Sequence, residues 1–343
     1  MTDALDGALV AGLLARCGLG DLIALEPVSG GTNNRTYLVS ASAGGACLRW
    51  YYRSPEDPRD RLGAEFGFAS FAWDCGIRAL PRPLAADPDH ALAVYERIEG
   101  RRLAAAEVDE ARLGEALTFL RALAACRGRP GAAALPMGSE ACFSIAAHLA
   151  TVDRRVQRLV ALTARADVDA GFAELVTARL AVRWRAVEAD ARAAATAAGI
   201  DLLQELAPSE RCLSPSDFGF HNALLAPDGK LRFIDFEYAG WDDPAKLVND
   251  LFCAPTVPVP PRHYAWFVRE LVAGAADPER AARRAALLLP VYQLKWACIL
   301  LNDFVPEGRQ RRRFALRAQE PLRAAAQLDK ARAVLARLDH PEE

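Results

Sequence analysis

Cysteine is spread thinly along this chain and histidine is scarce. The eight cysteines (Cys17, Cys47, Cys75, Cys126, Cys142, Cys212, Cys253, Cys298) include no Cys-x-x-Cys pair, and the histidines make no cluster at zinc spacing. A disulfide framework and a zinc site are therefore not expected, and the cysteines read as small apolar residues of a reduced compartment. No run of 18 apolar residues occurs, and Met1-Thr-Asp-Ala-Leu-Asp6 lacks the basic start of a signal peptide. The expectation is a soluble, cytoplasmic protein with no membrane partner. An excess of one charge is missing too: 42 Lys and Arg stand against 44 Asp and Glu, so nothing draws the whole chain to nucleic acid. One local exception, Arg309-Gln-Arg311-Arg312-Arg313, precedes a helical run expected from Phe314, and reads as a solvated helix start or partner-facing patch. No repeat of fixed period is present. What the chain has is length and apolar content, 343 residues at 52% hydrophobic, enough for two lobes with substantial cores.

The most informative segment is Ser214-Pro-Ser-Asp217-Phe-Gly-Phe-His-Asn222 followed by Phe233-Ile-Asp235-Phe-Glu237. Between them two short apolar runs flank Asp228-Gly229, the signal of a two-residue type I′ hairpin. If those two residues form the loop, Asn222 lies directly opposite Asp235, and the turn joins an amide oxygen and a carboxylate. Asp or Asn near a turn also caps backbone, so the hairpin alone leaves both readings open. The spacing adds weight, since Asp-x-x-x-x-Asn followed 13 residues later by Asp is the catalytic-loop and metal-carboxylate pattern of kinase-like folds.

Upstream, Ser29-Gly30-Gly31-Thr32 forms a turn between two strand-like runs, where backbone N–H groups can approach a phosphate. A third strand, Ala46 to Tyr52, carries Arg49, and Glu65 lies in a segment whose Leu62, Phe66, Ala69 and Trp73 recur at helical spacing. Singly these are a hairpin turn, a strand cation and a helical charge. Their order along the chain, from glycine turn to metal carboxylate, is the argument.

With these residues the chain resembles the aminoglycoside phosphotransferase and choline kinase-like branch of the protein-kinase-like superfamily, whose motif reads His-x-Asp-x-x-x-x-Asn and then apolar-Asp-Phe. The resemblance implies an α+β, bilobal protein-kinase-like fold: a small antiparallel-sheet lobe, residues 1–97, that binds nucleotide, and a larger mainly helical lobe, residues 98–343, with the catalytic loop, metal site and acceptor pocket. It implies ATP or GTP and Mg²⁺ as cofactors and a small-molecule hydroxyl as acceptor. Asp217 would be the catalytic base, and Asn222 and Asp235 the metal ligands. Ser29, Gly30, Gly31, Thr32 and Arg49 would hold phosphates, Glu65 would orient Arg49, and backbone groups of Glu96 and Ile98 would meet the adenine edge. Asp250 would brace the catalytic loop. His221 is an alternative base, read as a support of the loop. Two departures stand out: Pro215 replaces the motif His, and Arg49 the usual Lys. They keep open a catalytically degenerate nucleotide-binding pseudokinase, and a nucleotidyl transferase on the same fold is a further alternative.

Around these motifs, helices are expected over 109–127, 139–165, 170–198, 264–275, 278–302 and 314–338, the last two kinked or broken at Pro290 and Pro321. Glu237, Asp242 and Asp243 could attract a cationic acceptor or be structural. Tyr238 and Trp241 could stack on a ligand or pack in the core.

Overall fold

The computed structural model describes residues 5–28, 33–55, 57–315 and 320–339. Helix α1 (Gly7–Arg16), N-capped by Asp6, precedes strands β1 (Leu22–Val28), β2 (Arg35–Ala41) and β3 (Gly44–Trp50); helix α2 (Arg61–Asp74) then leads to β4 (Pro83–Asp87) and β5 (Leu92–Glu96). The strands form one antiparallel sheet in the order β1-β2-β3-β5-β4. Side chains alternate between its faces, as a strand requires. Tyr37, Val39, Ala46, Leu48, Leu92 and Val94 pack with Val10, Leu13 and Leu14 of α1, while Ala93, Tyr95 and Tyr51 join Phe68 and Ala72 of α2 in the main core. Because Leu48 is buried toward α1, its neighbour Arg49 emerges on the α2 side.

The remaining chain is mainly helical: α3 (Glu110–Ala125), α4 (Ile145–Leu162), α5 (Ala170–Glu174), a π-helical turn at Leu175–Leu180, α6 (Ala181–Ala197), α7 (Pro244–Cys253), α8 (Tyr264–Val272), α9 (Pro278–Leu300), α10 (Pro306–Ala315) and α11 (Glu320–Asp339). Short strands carry the motif segment. β6 (Arg101–Arg102), β8 (Ala223–Leu225) and β9 (Leu231–Phe233) form one sheet, and β7 (Cys212–Ser214) pairs with β10 (Gly240–Asp242). Among the described residues one helical stretch, Pro278–Phe304, is long and apolar enough to cross a bilayer, but 61% of that window is buried inside the protein, where α9 packs against α4, α6, α7 and α11. It is the central core helix, and Pro290 lies within it without ending it.

Several expected boundaries differ. The segment 139–143 is not helical: Ser144 N-caps α4, and Glu140 takes a left-handed φ of 54°. The arginine run lies inside α10, which begins at Pro306, so the helix expected from Phe314 starts two turns earlier. The break placed at Pro321 corresponds to the start of α11. Most consequential is the hairpin. Ala223 pairs with Phe233 and Leu225 with Leu231, and Ala226 N donates to Lys230 O at 2.9 Å, leaving Pro227-Asp228-Gly229 as a three-residue loop. Gly229 supplies the left-handed residue (φ 74°) and Pro227 starts the turn, the usual chemistry of a three-residue connection. The register moves by one residue. Asn222 therefore faces Ile234, whose N–H donates to Asn222 O at 2.9 Å, and not Asp235.

Candidate active site

Asp235 still reaches the site because the chain leaves the strand there through a left-handed turn, φ 70°. Four non-glycine described residues have positive φ: Ala91, Glu140, Ser216 and Asp235. Such conformations cost of order 1–3 kcal/mol and persist where surrounding structure enforces them. Two of the four are Asp235 and the residue before Asp217.

The loop from β7 to β8 is tied from within. Asn222 Nδ2 donates to the Asp217 carbonyl at 2.9 Å, and Arg102 Nη1 holds the His221 carbonyl at 2.5 Å. With Nδ2 committed, Oδ1 is the end of the Asn222 amide available to a cation. The Asp217 carboxylate is about a third exposed (36%), with His221 Nε2 at 3.4 Å. Burial pushes the Asp217 carboxyl up, but the imidazole beside it, helped by Lys295 and Lys246, brings it below the ordinary carboxylate value. His221 moves the other way: burial pushes it down, and Asp217 and Asp235 more than offset this. His221 thus touches the acid itself as well as supporting the loop.

On the opposite wall, Arg49 Nη1 meets Glu65 Oε1 at 2.6 Å and Nη2 meets Asp235 Oδ1 at 2.8 Å. Burial opposes the charge on Arg49, yet Asp235 and Glu65 hold its pKa above normal, so the guanidinium stays charged. Glu65 is pushed up to about 7, by burial first and by Asp235, against the pull of Arg49. Its second oxygen accepts from Tyr51 Oη at 2.8 Å, and Tyr51 Oη lies 2.8 Å from Tyr95 Oη. If Tyr51 spends its proton on Glu65, Tyr95 must donate to Tyr51. A second set of contacts ties the segment after β9 to the residues that lead into β2. Buried Glu237 accepts from Asn33 Nδ2 at 2.7 Å and Asn34 Nδ2 at 2.6 Å and lies 3.2 Å from Arg61 Nε.

Beneath the loop, Lys246 of α7 is buried, donates to Ser216 Oγ at 3.0 Å, and is paired with Asp242 and, at 3.6 Å, Asp250. Asp250 also accepts from Lys295 Nζ at 3.1 Å and Trp296 Nε1 at 3.1 Å. The expected brace by Asp250 is therefore corrected: its carboxylate makes no hydrogen bond to the loop among the described residues and acts through Lys246.

Other expected residues fall unevenly. Ser29, Gly30, Gly31 and Thr32 lie outside the described residues. Of the backbone groups expected at the adenine edge, the Glu96 N–H is spent on the Arg82 carbonyl at 2.8 Å, a correction that leaves Glu96 its carbonyl, whereas Ile98 has no backbone partner among the described residues. Asp242 and Asp243 are buried and paired, with Lys246 and with His148 and Arg284, so neither is open to a cationic ligand. Trp241 Nε1 donates to the Ala132 carbonyl at 2.9 Å as a packed residue. Sequence reasoning missed Tyr51, Tyr95, Arg61, Lys246 and Lys295. One signal was available: Lys246 and Asp250 are spaced by four on α7, which stacks them on one helix face.

Comparison with known proteins bears on family and fold. Residues 24–283 match the model of the phosphotransferase enzyme family, APH, and the chain belongs to that family. Among solved structures, spectinomycin phosphotransferase in complex with ADP and spectinomycin is similar at TM-score 0.64 and 12% identity, over 97% of this chain and 99% of that one. A choline/ethanolamine kinase family protein from Mesorhizobium loti gives 0.57 and 19% over 92% of each, and the choline kinase LicA from Streptococcus pneumoniae 0.57 and 14% over 96% and 98%. At these identities the likeness is one of fold, a protein-kinase-like fold with an antiparallel sheet in one lobe and a helical remainder. No curated protein sequence matches the chain.

Proposed function

We propose that the chain transfers the γ-phosphoryl group of ATP to a hydroxyl of a small molecule. The observation that carries the reading is Arg49 held between Glu65 and Asp235 in a chain of the phosphotransferase family. Residues 1–97 would bind the nucleotide, with Ser29, Gly30, Gly31, Thr32 and Arg49 against the phosphates, Glu65 orienting Arg49, and Ile98 at the base edge with the carbonyl of Glu96. Residues 98–343 would supply catalysis and the acceptor pocket.

Asp235 and the free amide oxygen of Asn222 are a hard-oxygen pair that fits Mg²⁺, which keeps water and substrate phosphates as its other ligands. When bound, the ion would neutralise charge on the transferring group. Asp217, kept ionised by its neighbours, would accept the acceptor's proton and align its oxygen. Pro215 removes the motif His, and Lys246 on Ser216 offers the loop a different support.

The test is Mg²⁺-ATP in a thermal shift, with product mass read after incubation with candidate alcohols. Mg²⁺-ATP should raise the melting temperature, and Asp235→Ala should remove the metal-dependent part of the rise. A mass gain of one phosphate marks kinase chemistry. A nucleotide adduct would replace the reading by nucleotidyl transfer, and binding with no product from any alcohol would leave a pseudokinase.

A further inference from the structure

Around Tyr238, three residues beyond Asp235, guanidinium groups from several elements gather among too few carboxylates. Asp57 is shared by Arg59 at 2.7 Å, Arg61 at 2.5 Å and Arg311 at 3.8 Å, and Asp303 by Arg312 at 2.5 Å and Arg323 at 3.1 Å. Arg155 grips both oxygens of Glu140, each at 2.6 Å, and the hydrogen-bond partner of Arg158 among the described residues is the amide oxygen of Asn302, at 3.0 Å. Nε of Arg155 and of Arg311, and Nε and Nη1 of Arg312, are buried donors without a hydrogen-bond partner among the described residues. Unspent buried donors on cations are costly, and an anion that satisfies several at once removes the cost.

The group flanks the segment that follows Asp235. Arg59 and Arg61 lie over the Tyr238 ring at 5.6 and 5.8 Å, and Ser139 N donates to the Tyr238 carbonyl at 3.0 Å, which places Glu140 and its partner Arg155 on the other side of that residue. Glu140 is also the third positive-φ residue near the site. The electrostatics agree. Arg158 is held below the usual arginine value by burial and then by Arg155, with Arg311 adding to the effect. Arg312 is brought down to about 10 by burial, and Arg323 and Arg311 add to this against Asp303.

We propose that Arg155, Arg158 and Arg311 form a subsite for an anionic group, phosphate or carboxylate, carried by the alcohol that accepts the phosphoryl group; this rests on the phosphotransfer reading above. Planar guanidinium forks from α4 and α10 suit either anion through paired N–H donors. In the transfer, the acceptor oxygen bonds to the γ-phosphorus as the bond to the bridging oxygen of ADP breaks, its electron pair leaving with ADP and the acceptor proton passing to Asp217. The anionic end stays on the arginines and aims the hydroxyl.

The experiment titrates Mg²⁺-ADP-saturated protein with glycerol 3-phosphate, glycerate, choline and ethanolamine by calorimetry, and measures ATP turnover with each. Glycerol 3-phosphate or glycerate should bind, more weakly at high salt, and the two separate phosphate from carboxylate. Arg158→Gln and Arg311→Gln should each weaken that binding about 10-fold or more, the cost of one charged hydrogen-bond partner, while Arg158→Lys recovers part and Mg²⁺-ADP affinity is unchanged. Binding of choline or ethanolamine in place of the anions overturns the proposal, as does anion binding that ignores both glutamine variants. Arginine-dependent anion binding with no transfer to any alcohol supports the subsite and sinks the phosphotransfer reading instead.

Discussion

Arg49 donates to Glu65 across 2.6 Å while its other terminal nitrogen holds Asp235 at 2.8 Å, so one side chain joins the sheet, helix α2 and the left-handed turn that follows β9. Residues acting as one unit are non-additive. Arg49→Ala should abolish most ATP turnover, Glu65→Ala should lose less, and the double variant should be little worse than Arg49→Ala. Arg49→Lys keeps the charge and should retain part of the activity. Full additivity in the double-variant cycle, read in kcat/KM, would show that the pair does not work as a unit.

Tyr51 is one of the groups that favour the charged form of Glu65. With Glu65 at about 7 and the Tyr51 hydrogen bond among the influences that lower it, Tyr51→Phe should move the carboxyl further up. Glu65 must be ionised to hold Arg49, so the variant should lose activity near neutral pH and recover it in the alkaline range, shifting the acid limb of the kcat/KM profile upward. A limb that stays in place would disconnect Tyr51 from the site.

Asp217→Asn separates chemistry from binding. Turnover should fall by about 10²-fold or more, as expected when a positioned base is lost, with Mg²⁺-ADP affinity nearly intact. Turnover close to that of the parent protein would move the role of base to His221, 3.4 Å away.

Lys246 should behave as a buried partner whose loss leaves Asp242 unpaired. Lys246→Met should destabilise the fold by roughly 3–5 kcal/mol, the cost of one orphaned buried charge, as measured by denaturant unfolding. A change of less than 1 kcal/mol, on the order of an exposed pair, would contradict the buried network.

His148, packed between α7 and α9, predicts a pH dependence of stability. It donates from Nε2 to Asp243 at 3.0 Å and takes the Tyr292 hydroxyl at Nδ1, 2.8 Å away, and burial holds its pKa below the ordinary 6.5. The folded state therefore prefers neutral His148. Its contribution is complete above the unfolded value and is lost as pH falls below about 6.5, because the unfolded chain then binds the proton more readily. Melting temperatures compared between pH 7 and pH 5 should fall less steeply in His148→Gln than in the parent, and equal slopes would remove His148 from the account.

The order of chemistry along the chain was legible because it rests on local signals: apolar periodicity for α2, α3 and α9, an Asp-Gly turn, and an Asp and an Asn at fixed spacing before a second Asp. These carried the family resemblance that implied the fold class, and they marked which residues to weigh. The three-dimensional fold decided what such signals cannot carry. Pro227 drew the hairpin into a three-residue loop, so the register slipped and Asp235 comes to the site through its own left-handed turn. Glu96 spends its N–H on a neighbouring strand because pairing across a sheet is a long-range event. Lys246, Lys295 and the tyrosine pair behind Glu65 look ordinary in sequence, since burial and partner choice are set by which distant elements pack together. The arginines of α10 looked like a solvated charge run, and only tertiary packing brings Arg311 to Asp57, in the segment before α2, and close enough to Arg158 of α4 to act on its charge.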